Sequence, residues 1–292
     1  MLSASPRTGS LGADSLSSNV GYLLRRAYML SADCARACVP DDTHLREVAV
    51  LALLAERAPM SQRTLGNLLH VNRSSMVKCV DSMETKRWVV RERNPDDRRS
   101  YALRMTAPGK GVLAERLRDL ERGDAVLTAR LSPDERDSLN RALVELLNSK
   151  ELVPIASLSR HSGYLIAQTH RLMRKQAIER LVPVDLDPRD FGVLAVLAVQ
   201  QPCSQNQLAG YFGVSAPAAL GFVEDLEARG LVARQRSATD RRVYDVRLTL
   251  DGDRRLQAAR LVVADLERVV ATRLSGGAGE LRRLLHKLID SD

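Results

Sequence analysis

The chain repeats itself at a spacing of 143 residues, and this duplication restricts the possible folds more than any other feature. Between residues 61 and 109 the shift gives 16 identities in 49 positions without a gap, where chance at this composition gives about 3. The agreement is densest where Asp97-Arg98-Arg99 falls on Asp240-Arg241-Arg242. Because the period is far too long for a solenoid, the sequence predicts two copies of one domain.

The length of 292 residues, 45% of them apolar, is enough for two domains with a buried core each. We expect a flexible N-terminal tail over residues 1–16, a first domain over 17–150, a linker over 151–156 and a second domain over 157–292. The chain has no apolar run of about 18 residues and no apolar segment near its start. The sequence therefore predicts neither a membrane span nor a signal peptide, and we expect a cytoplasmic protein.

The first half of each copy has the pattern of a helix-turn-helix. In the first copy, apolar residues recur at helical spacing over 19–39, and a second helix follows over about 43–57. Ser61 is suited to cap a short helix, since its hydroxyl can accept an unpaired backbone N–H. After a tight turn, another helix is predicted to end near Lys86. Two short helices joined by such a turn are typical of a helix-turn-helix.

The second half of each copy predicts a hairpin and two longer helices. Trp88–Arg93 and Tyr101–Met105 are rich in β-formers and flank the turn-forming Asn94-Pro95-Asp96-Asp97. A long helix begins at Thr106, and Ser132 is placed to cap a last one. The predicted fold class is therefore mainly α with small β-hairpin wings, arranged as two winged helix-turn-helix domains.

Two motifs identify a family resemblance. Asn94-Pro95-Asp96-Asp97-Arg98-Arg99 precedes Leu103-Arg104-Met105-Thr106-Ala107-Pro108-Gly109, and Ala238-Thr239-Asp240-Arg241-Arg242 precedes Arg247-Leu248-Thr249-Leu250-Asp251-Gly252. In this order of elements the chain resembles the multiple-antibiotic-resistance regulator family, MarR, over residues 17–148 and 157–290. The resemblance implies a dimer built from the first and last helices of each protomer. Since both protomer equivalents lie on one chain, we predict a single-chain pseudo-dimer, with a dimer of such chains as the alternative.

The predicted partner is a double-stranded DNA operator, with which the net charge of +8 is compatible. In a helix-turn-helix the second helix lies in the major groove and its first residues meet base edges. In the first copy these residues are Asn72, Arg73, Ser74, Ser75 and Lys78. Arg73 is suited to a guanine contact and Arg63 to a phosphate. The wing residues Arg98, Arg99, Arg241 and Arg242 are expected near the minor groove, and the resemblance implies that Asp97 and Asp240 orient them.

The second copy departs from this pattern. Its corresponding segment, Ser215-Ala216-Pro217-Ala218-Ala219-Leu220-Gly221, contains no basic residue. Its side chains therefore offer DNA only the Ser215 hydroxyl and apolar contacts to thymine methyl groups. Two hypotheses follow: an asymmetric operator with one well-read half-site, or a second half that has lost DNA recognition and serves assembly or sensing. For both wings, a salt-bridged surface hairpin is the structural alternative.

The sensing chemistry is left open by the sequence. Cys34 and Cys38 lie four residues apart near the end of the first helix, with His44 following. They fit a redox sensor, part of a metal site, or two thiols that pack the helix. We predict no cofactor and no metal. Family members respond to phenolic compounds, oxidants or metals, so a small-molecule effector is expected without a name.

Taken together, these patterns predict a sequence-specific transcriptional regulator, a repressor that responds to a small-molecule effector. The chain has no glycine-rich phosphate loop and no catalytic constellation, so an enzyme is not expected. The alternative is a winged-helix scaffold for protein interactions in which the second domain has lost DNA recognition.

Overall fold

The structure is a computed structural model that describes residues 18–69, 71–93, 101–147, 155–236 and 244–290. Both hairpin tips, 94–100 and 237–243, and the segment 148–154 lie outside the described residues. Within the described ranges, no helix is both long and apolar enough to cross a membrane.

The first copy has six helices and three strands in its described part. They are α1 (Val20–Cys38), α2 (Leu45–Arg57), β1 (Met60–Ser61), α3 (Gln62–Leu68), α4 (Arg73–Thr85), β2 (Val89–Arg93), β3 (Tyr101–Met105), α5 (Ala107–Leu127) and α6 (Pro133–Leu147). The sheet is antiparallel with the order β1-β3-β2. Strand β1 was not predicted, because two residues are too few to show an alternating pattern.

The second copy repeats this order. Its elements are α7 (Ser162–Leu181), a 3₁₀ turn (Val182–Val184), α8 (Pro188–Val199), β4 (Cys203–Ser204), α9 (Gln205–Phe212), α10 (Ala216–Ala228), β5 (Val232–Arg236), β6 (Tyr244–Leu248), α11 (Leu250–Arg273) and α12 (Gly277–Ile289). Its sheet order, β4-β6-β5, matches that of the first copy. The predicted fold class, mainly α with small hairpin wings on two winged helix-turn-helix domains, is confirmed.

Capping side chains explain where the helices begin. The Ser61 hydroxyl accepts the Thr64 N–H at 3.0 Å, and the Thr106 hydroxyl accepts the Gly109 N–H at 3.1 Å. Ser132 and Glu135 form a reciprocal pair, in which each side chain accepts the backbone N–H of the other. Each such cap satisfies donors that a helix start leaves without a partner.

Each winged helix has its own apolar core. In the first copy the core joins α2, most of which is buried, to the inner faces of α3 and α4 and to the sheet; among its buried residues are Leu51, Leu65, Met76, Val80 and Leu103. In the second copy the equivalent buried residues include Leu194, Leu208, Val223 and Val246. Because the two cores are built from matching elements, each helix-turn-helix is held in the same way.

The chain divides into two compact units, and each takes in segments of both copies. One contains Leu24–His170 with the last turns of α12 from Arg283, and the other contains Arg171–Arg282 with the start of α1 up to Leu23. Inside the first unit, the Asp124 carboxylate accepts the N–H groups of Ser162 and Gly163 at 3.0 and 2.7 Å. Sharing of segments between copies is what a single-chain pseudo-dimer requires.

The end of the predicted linker packs against the first copy. Ile155 is buried in the core of that copy, and the Glu56 carboxylate accepts the N–H groups of Ala156 and Ser157 at 3.1 and 2.9 Å. These bonds lower the pKa of Glu56 against the opposing effect of its burial. The chain is therefore tied to the first copy before α7 begins.

Candidate nucleic-acid interface

Helix α4 presents a polar and basic edge to solvent. Its buried residues Met76, Cys79, Val80 and Met83 recur at helical spacing and face the core. The opposite side leaves Arg73, Ser74, Val77 and Lys78 exposed. The helix is therefore amphipathic, and its first two turns carry the side chains that the sequence predicted to meet DNA.

The start of α4 is capped by Asn72. Its side-chain oxygen accepts the Ser75 N–H at 2.8 Å and the Ser74 hydroxyl at 2.9 Å. This arrangement uses the carbonyl half of the Asn72 amide and leaves its NH₂ group as a donor. Asn72 and Ser75 thus have a structural part at the position where the sequence predicted DNA contacts.

Three cations of the helix-turn-helix are exposed without an ion-pair partner among the described residues. Arg63 on α3 and Arg73 and Lys78 on α4 are exposed, and they form no ion pair with any other residue that the structure describes. An arginine presents a planar fork that fits phosphate or a guanine edge, and a lysine supplies a mobile point charge. The surface therefore offers positive charge and hydrogen-bond donors on one helix-turn-helix.

Arg91 on β2 ties the wing to α4. Its guanidinium donates to Asp81 at 2.7 Å and to Glu84. In the second copy Arg234 on β5 makes the equivalent contacts, with Glu227 at 2.6 Å and Glu224 at 3.7 Å. The bond from Arg234 lowers the pKa of Glu227. These two arginines are identical when the copies are aligned. The alignment does not show that they hold the wing and the helix together.

A buried acid anchors the other end of α4. Glu47 on α2 is only 1% exposed, and it accepts two bonds from the Lys86 ammonium at 2.9 and 3.0 Å and one from Ser82 at 2.8 Å. In the second copy the pair is Asp190 and Arg229, at 2.8 Å. Sequence analysis missed both pairs, since neither the acid nor the base is identical in the two copies.

The wing tips carry the remaining predicted contacts. Asp97, Arg98, Arg99, Asp240, Arg241 and Arg242 lie outside the described residues. Of the described wing, Arg93 and Arg236 are exposed at the ends of β2 and β5, and Arg104 pairs with Glu92 at 2.7 Å. The part played by the wing tips stays a prediction.

The equivalent edge of α10 is neutral to acidic. Ser215 caps the helix with a longer bond, 3.4 Å to the Ala218 N–H. Ala216, Pro217 and Gly221 are exposed after it, followed by Glu224 and Asp225. Neither α9 nor α10 contains a lysine or an arginine. The two copies share a fold here but present different chemistry.

Cys34 and Cys38 are partly buried on α1 with free thiols. Burial raises the pKa of Cys34, and the neighbouring Cys38, Asp33 and Asp124 raise it further. A raised pKa keeps the thiol protonated and lowers its reactivity. Within the described ranges, no group of three His, Cys, Asp or Glu residues is arranged to hold a metal ion. The redox role of this pair stays a prediction.

Family comparison agrees with the duplicated architecture. One model of the MarR family matches residues 44–101, and a second model of the same family matches residues 184–243. The first match runs from α2 to the first residue of β3, and the second runs from the end of the 3₁₀ turn to the residue before β6.

Individual proteins resemble between a third and two fifths of the chain. The chain is 38% identical over 105 residues to a protein named as a transcriptional regulatory protein for the hcr operon of Thauera aromatica, covering 36% of this chain and 63% of that protein. It is 32% identical over 100 residues to the uncharacterized HTH-type transcriptional regulator YwoH of Bacillus subtilis (strain 168), covering 34% of this chain and 72% of that one. A solved complex of MepR from S. aureus with DNA is 25% identical and covers 38% of this chain and 83% of MepR, with a TM-score of 0.37.

Proposed function

Because the chain belongs to the MarR family, we propose that it is a sequence-specific DNA-binding repressor of transcription that a small-molecule effector regulates. One observation carries the proposal: Arg63, Arg73 and Lys78 lie exposed on a single helix-turn-helix and are not paired with other described residues. Relatives named as transcriptional regulators support the same conclusion. A regulator of this kind acts on the chromosome, so we place it in the cytoplasm.

In the proposed complex α4 enters the major groove. Its first turn then approaches base edges, where the Arg73 guanidinium can donate two bonds to a guanine and the Asn72 NH₂ group can meet an acceptor. Arg63, on the preceding helix, contacts a phosphate and sets the position of the domain. The pairs made by Arg91 and Lys86 hold α4 in one orientation against the wing and α2.

The partner is a double-stranded operator bound by one chain acting as a pseudo-dimer. We propose the domain boundaries given by the repeat, with a tail over residues 1–16, domains over 17–150 and 157–292, and a linker over 151–156. The bonds that Asp124 accepts from the start of α7 support this assembly, because they join the first copy to the first helix of the second.

A cavity supports the effector part of the proposal. It has a volume of about 460 Å³ and lies between α2, β3 and α5, and its lining includes the apolar Leu54, Leu113 and Leu117 and the basic Arg104 and Lys110. Such a lining suits a small apolar molecule that carries an anionic group. Since Arg104 belongs to the wing strand β3, a ligand in this cavity would contact the hairpin directly.

A gel-shift titration of the promoter DNA beside its own gene, at two salt concentrations, tests the proposed function. We expect Arg73→Ala to weaken binding by about 1–3 kcal/mol and to relax specificity at one base pair. Arg63→Ala should weaken all sequences alike and reduce the salt slope by about 1. Arg141→Ala, which removes an exposed cation from α6, is the matched control and should change neither.

The contrary result is clear. If Arg73→Ala binds the cognate promoter as tightly as Arg141→Ala does, α4 is not the recognition helix and the proposal fails.

A further inference from the structure

Building on the proposed function, we infer that base readout is confined to the first copy, so that the chain recognises a DNA site without two-fold symmetry. A homodimer must present two identical helices to DNA, and its operators mirror that symmetry. A single chain with two copies is free of this constraint, because each copy can change independently. The described residues show that the two copies differ at the positions proposed to contact DNA.

The three cations of α3 and α4 are all replaced in the second copy. Under the shift of 143 residues, Arg63, Arg73 and Lys78 correspond to Asn206, Ala216 and Gly221. All three replacements are exposed, so the change lies on the surface and not in the core. The second helix-turn-helix therefore keeps its fold and loses its positive charge.

Three arginines near α10 are already engaged with acidic side chains. Arg234 pairs with Glu227 and Glu224, and Arg229 pairs with Asp190 and Asp225. Arg189 lies 4.8 Å above the Phe222 ring and pairs with Asp190 at 3.3 Å. Each of them would have to leave an acidic partner to reach DNA.

The exposed side of α10 also carries negative charge. Glu224 and Asp225 have more than half of their side-chain surface accessible, 55% and 51%. They correspond to Asp81 and Ser82, so the second copy has one more acid on this side and three fewer cations. Acidic side chains facing a phosphate backbone are repelled by it.

The first turn of α10 has few groups with which to distinguish bases. Ala216 and Ala218 have no side-chain donor or acceptor, and Pro217 lacks even its backbone N–H. The Ser215 hydroxyl is shared with the helix cap. A good bidentate contact discriminates between bases by about 5- to 150-fold, and this turn can make none with its side chains.

The test is selection of binding sites from a random-sequence duplex library by the full chain. We expect an enriched motif with strong base preference in one half and little in the other. An enriched inverted repeat with equal preference in both halves would overturn the inference and leave the proposed function standing. If no sequence is enriched, the proposed function fails, and the inference fails with it.

A gain-of-function variant makes the test sharper. N206R/A216R/G221K places the cations of the first copy on the second, and an ideal Cβ at Gly221 meets no atom within 4 Å, so the substitution fits. The probe is an inverted repeat of the preferred half-site. We expect the variant to bind it about tenfold more tightly than the parent chain, with a steeper salt dependence, since each added phosphate contact increases the slope by about 0.9.

Double alanine variants at equivalent positions of the two copies complete the test. R63A/K78A should lower affinity for the selected site about tenfold or more, whereas N206A/G221A should change it less than twofold. Equal losses for the two pairs would overturn the inference. The same holds if the gain-of-function variant unfolds at the same urea concentration as the parent chain and yet binds the inverted repeat no better.

Discussion

Gly109 lies in the first turn of α5, against the backbone of Trp88, the residue just before β2. An ideal Cβ at this position would be 2.1 Å from the Trp88 carbonyl oxygen, and the equivalent Cβ at Gly252 would be 2.0 Å from the Leu231 oxygen. The Thr106 hydroxyl donates to the Arg87 carbonyl at 2.6 Å and so closes the same corner. The Thr-x-x-Gly motif of both copies is therefore explained by backbone packing.

Gly109→Ala should destabilise the protein, by about 2–3 kcal/mol, because the added methyl group must displace backbone. The matched control is Gly111→Ala on the same helix, where an ideal Cβ meets nothing within 4 Å. This control should stabilise by about 0.5–1 kcal/mol through helix propensity. Urea unfolding of both variants gives the comparison, and equal unfolding free energies would rule out the close approach.

At the scale of elements, α4 is positioned by contacts at its start, at its end and along its side. Asn72 caps the start, Lys86 joins the end to the buried Glu47, and Arg91 joins the side to the wing. Few of its own residues favour a helix strongly, so these contacts and the buried face hold it. The orientation of the surface proposed to bind DNA is therefore set by contacts with neighbouring elements.

Lys86→Met should cost about 2–3 kcal/mol, because it leaves Glu47 buried with no cation beside it. Methionine keeps the packing over the Trp88 ring, which the ammonium now covers at 4.4 Å. Lys110→Met removes an exposed cation from α5 and should change stability by less than about 0.5 kcal/mol. Thermal or urea unfolding distinguishes them, and matching midpoints would show that the pair with Glu47 contributes little.

At the scale of the whole molecule, the two copies are interlocked by charged contacts. The Glu135 carboxylate on α6 accepts hydrogen bonds from Lys287 at 2.6 Å and from Arg283 at 2.9 Å, both on α12. In the other compact unit, Glu267 accepts the Val20 N–H at 2.9 Å. The last helix of the second copy and the first helix of the first copy thus each contact the opposite copy.

Lowering the pH should weaken the junction that Glu135 forms with Arg283 and Lys287, and so reduce the stability of the fold. The bond from Lys287, with those from the Ser132 N–H and Arg283, lowers the pKa of Glu135 from its ordinary 4.5 to about 2. A lowered folded-state pKa stabilises the fold above the unfolded value, so the contribution is present above pH 4.5 and is lost as the pH falls toward 2. Glu135→Gln should therefore reduce the change in stability across this pH window, as followed by urea unfolding at each pH.

Asp134→Asn is the control for that experiment, since it removes a neighbouring exposed acid from the same helix start. Its pH profile should follow the parent chain. A Glu135→Gln profile that also follows the parent chain would show that the junction does not depend on this carboxylate.

Local signals in the sequence were sufficient for most elements of the fold. Caps such as Ser61 and Thr106, with apolar spacing, placed the helices to within about two residues, because they act over one or two turns. Strand β1 escaped prediction because its two residues form a strand only by pairing with β3. Of the predicted DNA contacts, Arg63, Arg73 and Lys78 are exposed on α3 and α4, and their contact with DNA stays a prediction.

The sequence by itself determined the duplication, the order of elements and the loss of basic residues from α10, because these are properties of residue identity and short-range spacing. Tertiary structure decided which charges are available. Arg91 and Arg234 resemble wing cations in the sequence, yet folding brings acids from α4 and α10 against them. It also decided that Arg283 and Lys287 contact Glu135 across about 150 residues of chain. No local pattern encodes such pairs, since their partners meet only after the core has formed.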